Sequence, residues 1–152
     1  MKILMVCLGN ICRSPLADGL LRKKVKDHSL AVEVDSAGTG DWHLGDPPDD
    51  RMRATAKANG LSIDELRGRQ FEVADFDRFD QIYVMDQSNY KNVVALARNE
   101  EDKEKVDLLL NLSNPNKNLE VPDPYFGGDE GFQQVFNMVD EATDRLIEQL
   151  KG

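Results

Sequence analysis

Basic residues are scarce in this sequence, and so are cysteines, aromatic residues and long apolar runs. Lys and Arg number 19 against 28 Asp and Glu, which gives a net charge of −9. This charge argues against binding to nucleic acid or to anionic membranes, because both attract basic surfaces. The apolar opening, residues 1–6, is too short for a signal peptide or a membrane span, so we expect a cytoplasmic protein.

Only two cysteines, Cys7 and Cys12, are present. They cannot form the disulfide framework of a small secreted protein. With His28 and His43 as the only other soft ligands, a structural zinc site is not expected either. We therefore predict reduced thiols, one of which is available for chemistry.

The length of 152 residues and a 40% share of hydrophobic residues predict one globular domain, residues 1–152. Short apolar runs alternate with helical patterns, which indicates an α/β fold with a parallel sheet covered on both faces. We predict strands at 3–6, 31–34, 81–85 and 106–110, and helices from 14, over 49–59, from 86 or 88 toward 97, and from 132 to 150. The charged run 98–105 is interpreted as a solvated helix end or loop.

The loop Cys7-Leu8-Gly9-Asn10-Ile11-Cys12-Arg13 joins the first strand to the first helix. Gly9 permits a positive φ and Asn10 tolerates one, so the N–H groups of the loop can converge on a tetrahedral oxyanion beside the helix N-terminus. Arg13 adds a planar fork that can bind two phosphate oxygens. A helix N-terminus and a nearby cation favour the thiolate, which makes Cys7 the candidate nucleophile.

Two neighbours of Cys7 have further candidate roles. Ser14 can donate its hydroxyl to the sulfur and ease its departure from a phosphoenzyme. Cys12 has two interpretations of equal weight. It either fills space behind the loop or forms a reversible disulfide with Cys7 that protects the nucleophile from over-oxidation.

With its flanks, residues 6–15, this loop resembles the signature of the low-molecular-weight protein tyrosine phosphatases. The likeness continues at 35–39, 69–70, 85–89 and 121–125, and so extends over nearly the whole chain. It implies a four-stranded parallel sheet with flanking helices, and hydrolysis of phosphotyrosine-containing proteins through a cysteinyl phosphate. Arg13, the loop amides and the helix end would supply the charge stabilisation, so no metal or organic cofactor is predicted. We expect a monomer or a weak homodimer.

The resemblance also implies individual roles. Asp123, in Asp123-Pro124-Tyr125, matches the general acid that protonates the leaving phenolate and then activates water. Trp42, Tyr125 and Phe126 are expected to line a slot whose depth suits a phenyl ring and leaves phosphoserine short of the sulfur. The predicted substrate-binding residues are Leu8, Gly9, Asn10, Ile11, Cys12, Ser14, Trp42, Tyr125 and Phe126.

Ile11 favours phosphotyrosine over phosphoarginine, because the arginine phosphatases of the family have a smaller polar residue at this position. Asn10, Ser36 and Ser88 are expected to support the loop by hydrogen bonds. This chain has Leu66 where the family often has a histidine, so this polar network is expected to differ. His28 and His43 are expected at the surface, without a role.

Three other functions fit parts of the pattern. An arsenate reductase would use the same fold and loop but needs a further cysteine pair, and no cysteine follows Cys12. A phosphotyrosine-binding module without turnover would usually lack Cys7, Arg13 or Asp123, and all three are present. A thiol redox protein is disfavoured because four residues separate Cys7 from Cys12, against two in thioredoxin-like motifs.

Overall fold

Four parallel strands form one sheet in the computed structural model, which describes residues 1–126 and 129–152 but not the side chains of Phe126 and Asp129. The strands are β1 Lys2–Cys7, β2 Glu33–Gly38, β3 Gln81–Val84 and β4 Val106–Leu108. Their order in the sheet is β2-β1-β3-β4, and each neighbouring pair is parallel. The predicted fold class is confirmed.

In the described part of the chain, six α-helices and two 3-10 helices connect or follow the strands. The α-helices are α1 Arg13–Asp27, α2 Asp50–Ala58, α3 Asp75–Arg78, α4 Gln87–Val94, α5 Glu100–Glu104 and α6 Asp129–Lys151, and the 3-10 helices are Leu109–Asn111 and Pro124–Phe126. Carboxylates begin two of the predicted helices: Asp49 accepts backbone hydrogen bonds at the start of α2, and Asp86 does so at the start of α4.

The side chains of β1 alternate between two buried clusters, one on each face of the sheet. Ile3 and Met5 pack in a cluster that includes buried residues of α1, α2 and α6. Leu4 and Val6 pack on the other face in a cluster that includes Phe76 of α3 and residues of α4. The helices therefore cover both faces, as an all-parallel sheet requires.

Several predicted boundaries are wrong. The second strand, expected at 31–34, runs over Glu33–Gly38 and pairs with β1 from Lys2↔Glu33 to Cys7↔Gly38. Pairing with a fully buried strand outweighs the turn propensity of this Ser- and Gly-containing stretch. The fourth strand ends at Leu108, where the chain turns into a 3-10 helix, and α4 ends at Val94 rather than near 97.

Three helices, α3, α5 and α6, also differ from the prediction in their presence or in where they begin. The four residues of α3 were not predicted, because a single turn carries almost no periodic signal. The charged run contains a true helix, α5, capped by the side chain of Asn99. α6 begins before Gly131 rather than after it. Among the described residues, no helix combines the length and the apolar character that crossing a bilayer requires.

Candidate active site

The loop after β1 is held open by backbone hydrogen bonds from the segment that follows β2. The carbonyl groups of Cys7 and Leu8 accept hydrogen bonds from the N–H groups of Thr39 and Gly40, both at 2.9 Å. A Cβ at Gly38 would lie 2.8 Å from the Leu8 oxygen, so glycine is needed for this close approach. Because these carbonyls already have partners on the outside, the loop can direct its N–H groups toward its own interior.

Several donors surround the sulfur of Cys7 at the floor of this loop. The backbone N–H groups of Asn10 and Ser14 point at Sγ from 3.3 and 3.4 Å, and the Ser14 hydroxyl lies 3.0 Å away. Asn10 has the positive φ that the sequence suggested, 56°. Its Oδ1 accepts a hydrogen bond from Ser14 at 2.8 Å, while its buried Nδ2 has no partner among the described residues.

The Ser14 hydroxyl thus has one proton to donate and two acceptors within 3.0 Å, with the Ala37 carbonyl as a third at 3.4 Å. It can serve Asn10 Oδ1 or the sulfur, and rotation about one bond exchanges the two. Ser14 is therefore placed to stabilise a negative charge on the Cys7 sulfur whenever one is present.

Arg13 is the first residue of α1 and is almost fully buried. Its Nη1 donates to Asp86 Oδ2 at 2.7 Å and to the Val121 carbonyl at 2.9 Å. Burial opposes the guanidinium charge, but the neighbouring Cys7 and Asp86 outweigh it and raise the pKa of Arg13 above its usual value. The guanidinium is thus permanently charged, and its orientation is set by the Asp86 carboxylate and the Val121 carbonyl.

Asp86 was predicted only as one of two possible starts of a helix, and it has a second role that the sequence did not reveal. One carboxylate oxygen caps α4 by accepting from the Asn89 N–H at 2.8 Å, and the other binds Arg13. Asp86 follows β3, and Arg13 follows the loop after β1. Because β1 and β3 are neighbouring parallel strands, their C-terminal ends lie side by side at one edge of the sheet. That adjacency is the signal from which this pair could have been inferred.

Asp123 lies after β4, directly before the 3-10 helix Pro124–Phe126, and faces the guanidinium of Arg13. Its Oδ2 lies 3.6 Å from Arg13 Nη2, and its Oδ1 accepts from the Tyr125 N–H at 3.0 Å. Arg51 of α2 fixes this segment by donating to the Tyr125 carbonyl at 2.9 Å, with its guanidinium 5.4 Å from the Tyr125 ring centre. The sequence gives no hint that Arg51 holds the segment that contains Asp123, since the two residues are far apart in the chain.

These groups surround a cavity of about 270 Å³ at the carboxyl edge of the sheet. Its lining consists of Cys7, Leu8, Gly9, Ile11, Cys12, Arg13, Trp42, His43, Asp123 and Tyr125. The structure therefore brings together the three predicted catalytic residues and most of the predicted substrate-binding residues. Asn10 and Ser14 contact the sulfur without lining the cavity. The predicted contribution of the Phe126 side chain lies outside the described residues.

Burial and nearby negative charge act on one of the two cysteines of the loop, Cys12. Both are free thiols. Burial, followed by the negative charge of Asp49 and the proximity of Cys7, raises the pKa of the Cys12 thiol well above its ordinary value. Cys12 is therefore a neutral thiol and a poor nucleophile, and Cys7 stays the candidate nucleophile of the loop.

Some predicted roles do not match the structure. His43 was expected at the surface without a role, but its ring lines the cavity. Of the residues expected to support the loop, Asn10 hydrogen-bonds to Ser14, whereas Ser36 is buried in β2 and Ser88 is exposed. Within the described ranges, no three His, Cys, Asp or Glu side chains form a cluster that could hold a metal ion.

Comparison with known proteins gives consistent matches over the whole chain. The family model for low molecular weight phosphotyrosine protein phosphatases matches residues 2–152. A low molecular weight protein-tyrosine-phosphatase of Streptomyces coelicolor is 39% identical, over 99% of this chain and 96% of that protein.

Solved structures agree with these matches. A protein tyrosine phosphatase from Entamoeba histolytica, crystallised with Hepes in its active site, superposes with a TM-score of 0.92 at 39% identity, over 99% of this chain and 97% of that one. A drosophila arginine phosphatase superposes equally well, with a TM-score of 0.92 at 33% identity, over 100% of this chain and 99% of that one.

Proposed function

This chain belongs to the family of low molecular weight phosphotyrosine protein phosphatases, and on that basis we propose that it hydrolyses phosphotyrosine in proteins. The observation that carries the proposal is the position of the Cys7 sulfur. It lies in a cradle of N–H donors at a helix N-terminus, in a cavity that the buried cation Arg13 and the carboxyl group of Asp123 also line. A tetrahedral dianion in this cradle is stabilised by the donors and the cation.

In the first step the Cys7 sulfur attacks phosphorus. An S–P bond forms while the P–O bond to the tyrosine breaks, and the guanidinium of Arg13 binds two of the phosphoryl oxygens. Asp123 donates its proton to the departing phenolate, because a phenol with a pKa near ~10 is a poor leaving group at neutral pH. The free tyrosine side chain then leaves the cavity.

In the second step water hydrolyses the cysteinyl phosphate. Asp123, now ionised, takes a proton from the water as its oxygen attacks phosphorus, and the S–P bond breaks with its electron pair returning to sulfur. The Ser14 hydroxyl stabilises the returning charge from 3.0 Å. Inorganic phosphate is released and the starting state is restored, with no metal or organic cofactor in the cycle.

Ile11 supports phosphotyrosine as the preferred substrate. The cavity offers apolar contacts from Leu8, Ile11, Trp42 and Tyr125, which suit a phenyl ring. The guanidinium of phosphoarginine would need hydrogen-bond acceptors at the same place. Similarity to the drosophila arginine phosphatase makes phosphoarginine the second candidate substrate.

Arsenate reduction, phosphotyrosine binding without turnover and thiol redox chemistry have less support. Arsenate reduction needs cysteines beyond Cys12, and the sequence has none. A binding module needs no general acid, yet Asp123 lies at the cavity beside Arg13. A redox role for the two thiols conflicts with the neutral state of Cys12. The cytoplasmic location and the monomeric or weakly dimeric state stay predictions.

Two measurements test the proposal. A panel of matched peptides containing phosphotyrosine, phosphoserine or phosphoarginine should give phosphate release mainly from the first. Acid quenching during turnover, followed by mass spectrometry, should locate the trapped phosphoryl group on Cys7. Binding of the phosphotyrosine peptide without release would support the module instead, and a phosphoryl group on any other residue would exclude the proposed mechanism.

A further inference from the structure

His43 lies on a wall of the cavity that the proposed reaction does not use. The segment that follows β2 contributes this wall together with Trp42, while Asp123 follows β4. Since β2 and β4 are the two edges of the sheet, His43 and Asp123 reach the Cys7 loop from opposite sides. The His43 side chain is 31% exposed, which places it nearer the mouth of the cavity than the buried Cys7 and Arg13.

The ring of His43 is held by its own loop. Its Nδ1 lies 3.1 Å from Asp46 Oδ2, and its carbonyl accepts a hydrogen bond from the Asp46 N–H at 3.0 Å. The Asp46 carbonyl in turn accepts a hydrogen bond from the Gly68 N–H at 2.8 Å. A Cβ at Gly68 would lie 2.2 Å from the His43 carbonyl oxygen, so the two segments are in close contact. This packing fixes the direction in which the imidazole points.

The other edge of the His43 ring lies against the Cys7 loop, residues 7–13. A Cβ at Gly9 would lie 3.3 Å from His43 Cδ2 and 3.9 Å from Nε2. An ionised Asp46 can only accept at this contact, so Nδ1–H of the neutral ring is the donor and Nε2 is then a hydrogen-bond acceptor. Among the described residues Nε2 has no hydrogen-bond partner. The titratable groups that share the cavity with His43 are Cys7, Cys12, Arg13, Asp123 and Tyr125.

We propose that His43 is a specificity-determining residue, an inference that rests on the proposed function. Its Nε2 accepts a hydrogen bond from a main-chain N–H next to the phosphotyrosine of the substrate. The phosphate and the phenyl ring occupy the floor and the walls, so the part of the substrate at the mouth is polypeptide. Every polypeptide supplies main-chain N–H groups there. A fixed acceptor therefore selects proteins over small aryl phosphates without requiring a particular sequence.

The test compares a phosphotyrosine peptide with p-nitrophenyl phosphate, which has no main chain. His43→Asn is too short to place an acceptor at the Nε2 position, whereas His43→Gln can do so. For the peptide we expect His43→Asn to lower kcat/KM about three- to tenfold, mainly through KM, as loss of one hydrogen bond does. The fall for p-nitrophenyl phosphate should be smaller, and His43→Gln should recover much of the peptide rate. His28→Ala, an exposed histidine at the end of α1, is the matched control and should change neither rate.

A second arm removes the donor from the substrate. In a set of peptides, each is methylated at one main-chain nitrogen beside the phosphotyrosine. One of these peptides should have a lower kcat/KM than the unmethylated peptide with the wild-type protein but not with His43→Asn. Equal falls for both substrates, or methylation effects that are the same in both proteins, would overturn the proposal. Failure of the wild-type protein to hydrolyse p-nitrophenyl phosphate at all would instead contradict the proposed function.

Discussion

The floor and the mouth of the cavity are built in different ways. At the floor, Cys7 and Arg13 are each 2% exposed, and hydrogen bonds to the backbone or to carboxylates fix their atoms. At the mouth, Trp42 is 67% and Tyr125 38% exposed. The groups that meet phosphorus in the proposed mechanism lie where packing determines their position. Groups that contact variable substrates lie where they can adjust.

From this difference we expect chemistry and recognition to be separable in this molecule. Changes at the floor should act on the chemical step and affect every substrate. Changes at the mouth should act on KM and depend on the size of the substrate. Three substitutions, ordered from the largest expected effect to the smallest, test whether the boundary between floor and mouth is real.

The largest effect is expected from removal of the sulfur. Cys7→Ala should lower kcat for p-nitrophenyl phosphate by a factor of about 10⁴ or more, because no other group can form the intermediate. Cys12→Ser is the matched control from the same loop. Its thiol is neutral and its expected loss of kcat is about tenfold or less, from disturbed packing alone. Comparable losses in the two variants would mean that the loop, and not one sulfur, carries the chemistry.

An intermediate effect is expected from Asp123→Asn, which keeps the shape of the side chain but cannot donate the proton. With phenyl phosphate, whose leaving group needs protonation, kcat should fall about 10²- to 10⁴-fold. With p-nitrophenyl phosphate, whose leaving group is more acidic, the fall should be clearly smaller. Steady-state rates on both substrates measure this, and equal losses would remove Asp123 from the acid role and place it with the residues of the mouth.

The smallest effect is expected from Trp42→Ala at the mouth. Loss of one wall should raise KM for a phosphotyrosine peptide by about threefold to tenfold and leave kcat within about twofold, because the exposed ring contributes binding and no chemistry. Leu44→Ala is the control, a similarly exposed apolar side chain that does not line the cavity. A large fall in kcat for Trp42→Ala would show that the floor and the mouth are coupled.

Much of the floor could be predicted from the sequence, because it is local. Gly9, Asn10, Arg13 and Ser14 follow Cys7 within seven residues, between a strand and a helix, and their geometry depends on short-range backbone constraints. The positive φ of Asn10 is one example. Asp123 was predicted as well, but only through the family resemblance, since its distance to Arg13 depends on the order of the strands.

What the sequence did not reveal depends on contacts between distant segments. Arg13 and Asp86 are 73 residues apart, and only the adjacency of β1 and β3 brings them together. His43 enters the cavity because its loop packs against Gly68, a contact with no local signature. The start of β2 was misplaced for the same reason, since its register is set by hydrogen bonds to β1 and not by its own composition.

The hydrogen bond from Arg13 to the Val121 carbonyl joins residues 108 positions apart. During synthesis the nucleophile is therefore made well before the acid segment, which follows all four strands. A nascent chain on the ribosome then has the Cys7 thiol, but neither the Val121 carbonyl that helps to orient Arg13 nor Asp123, the proposed proton donor. The position of these groups along the chain delays activity until the fourth strand and the segment after it have docked.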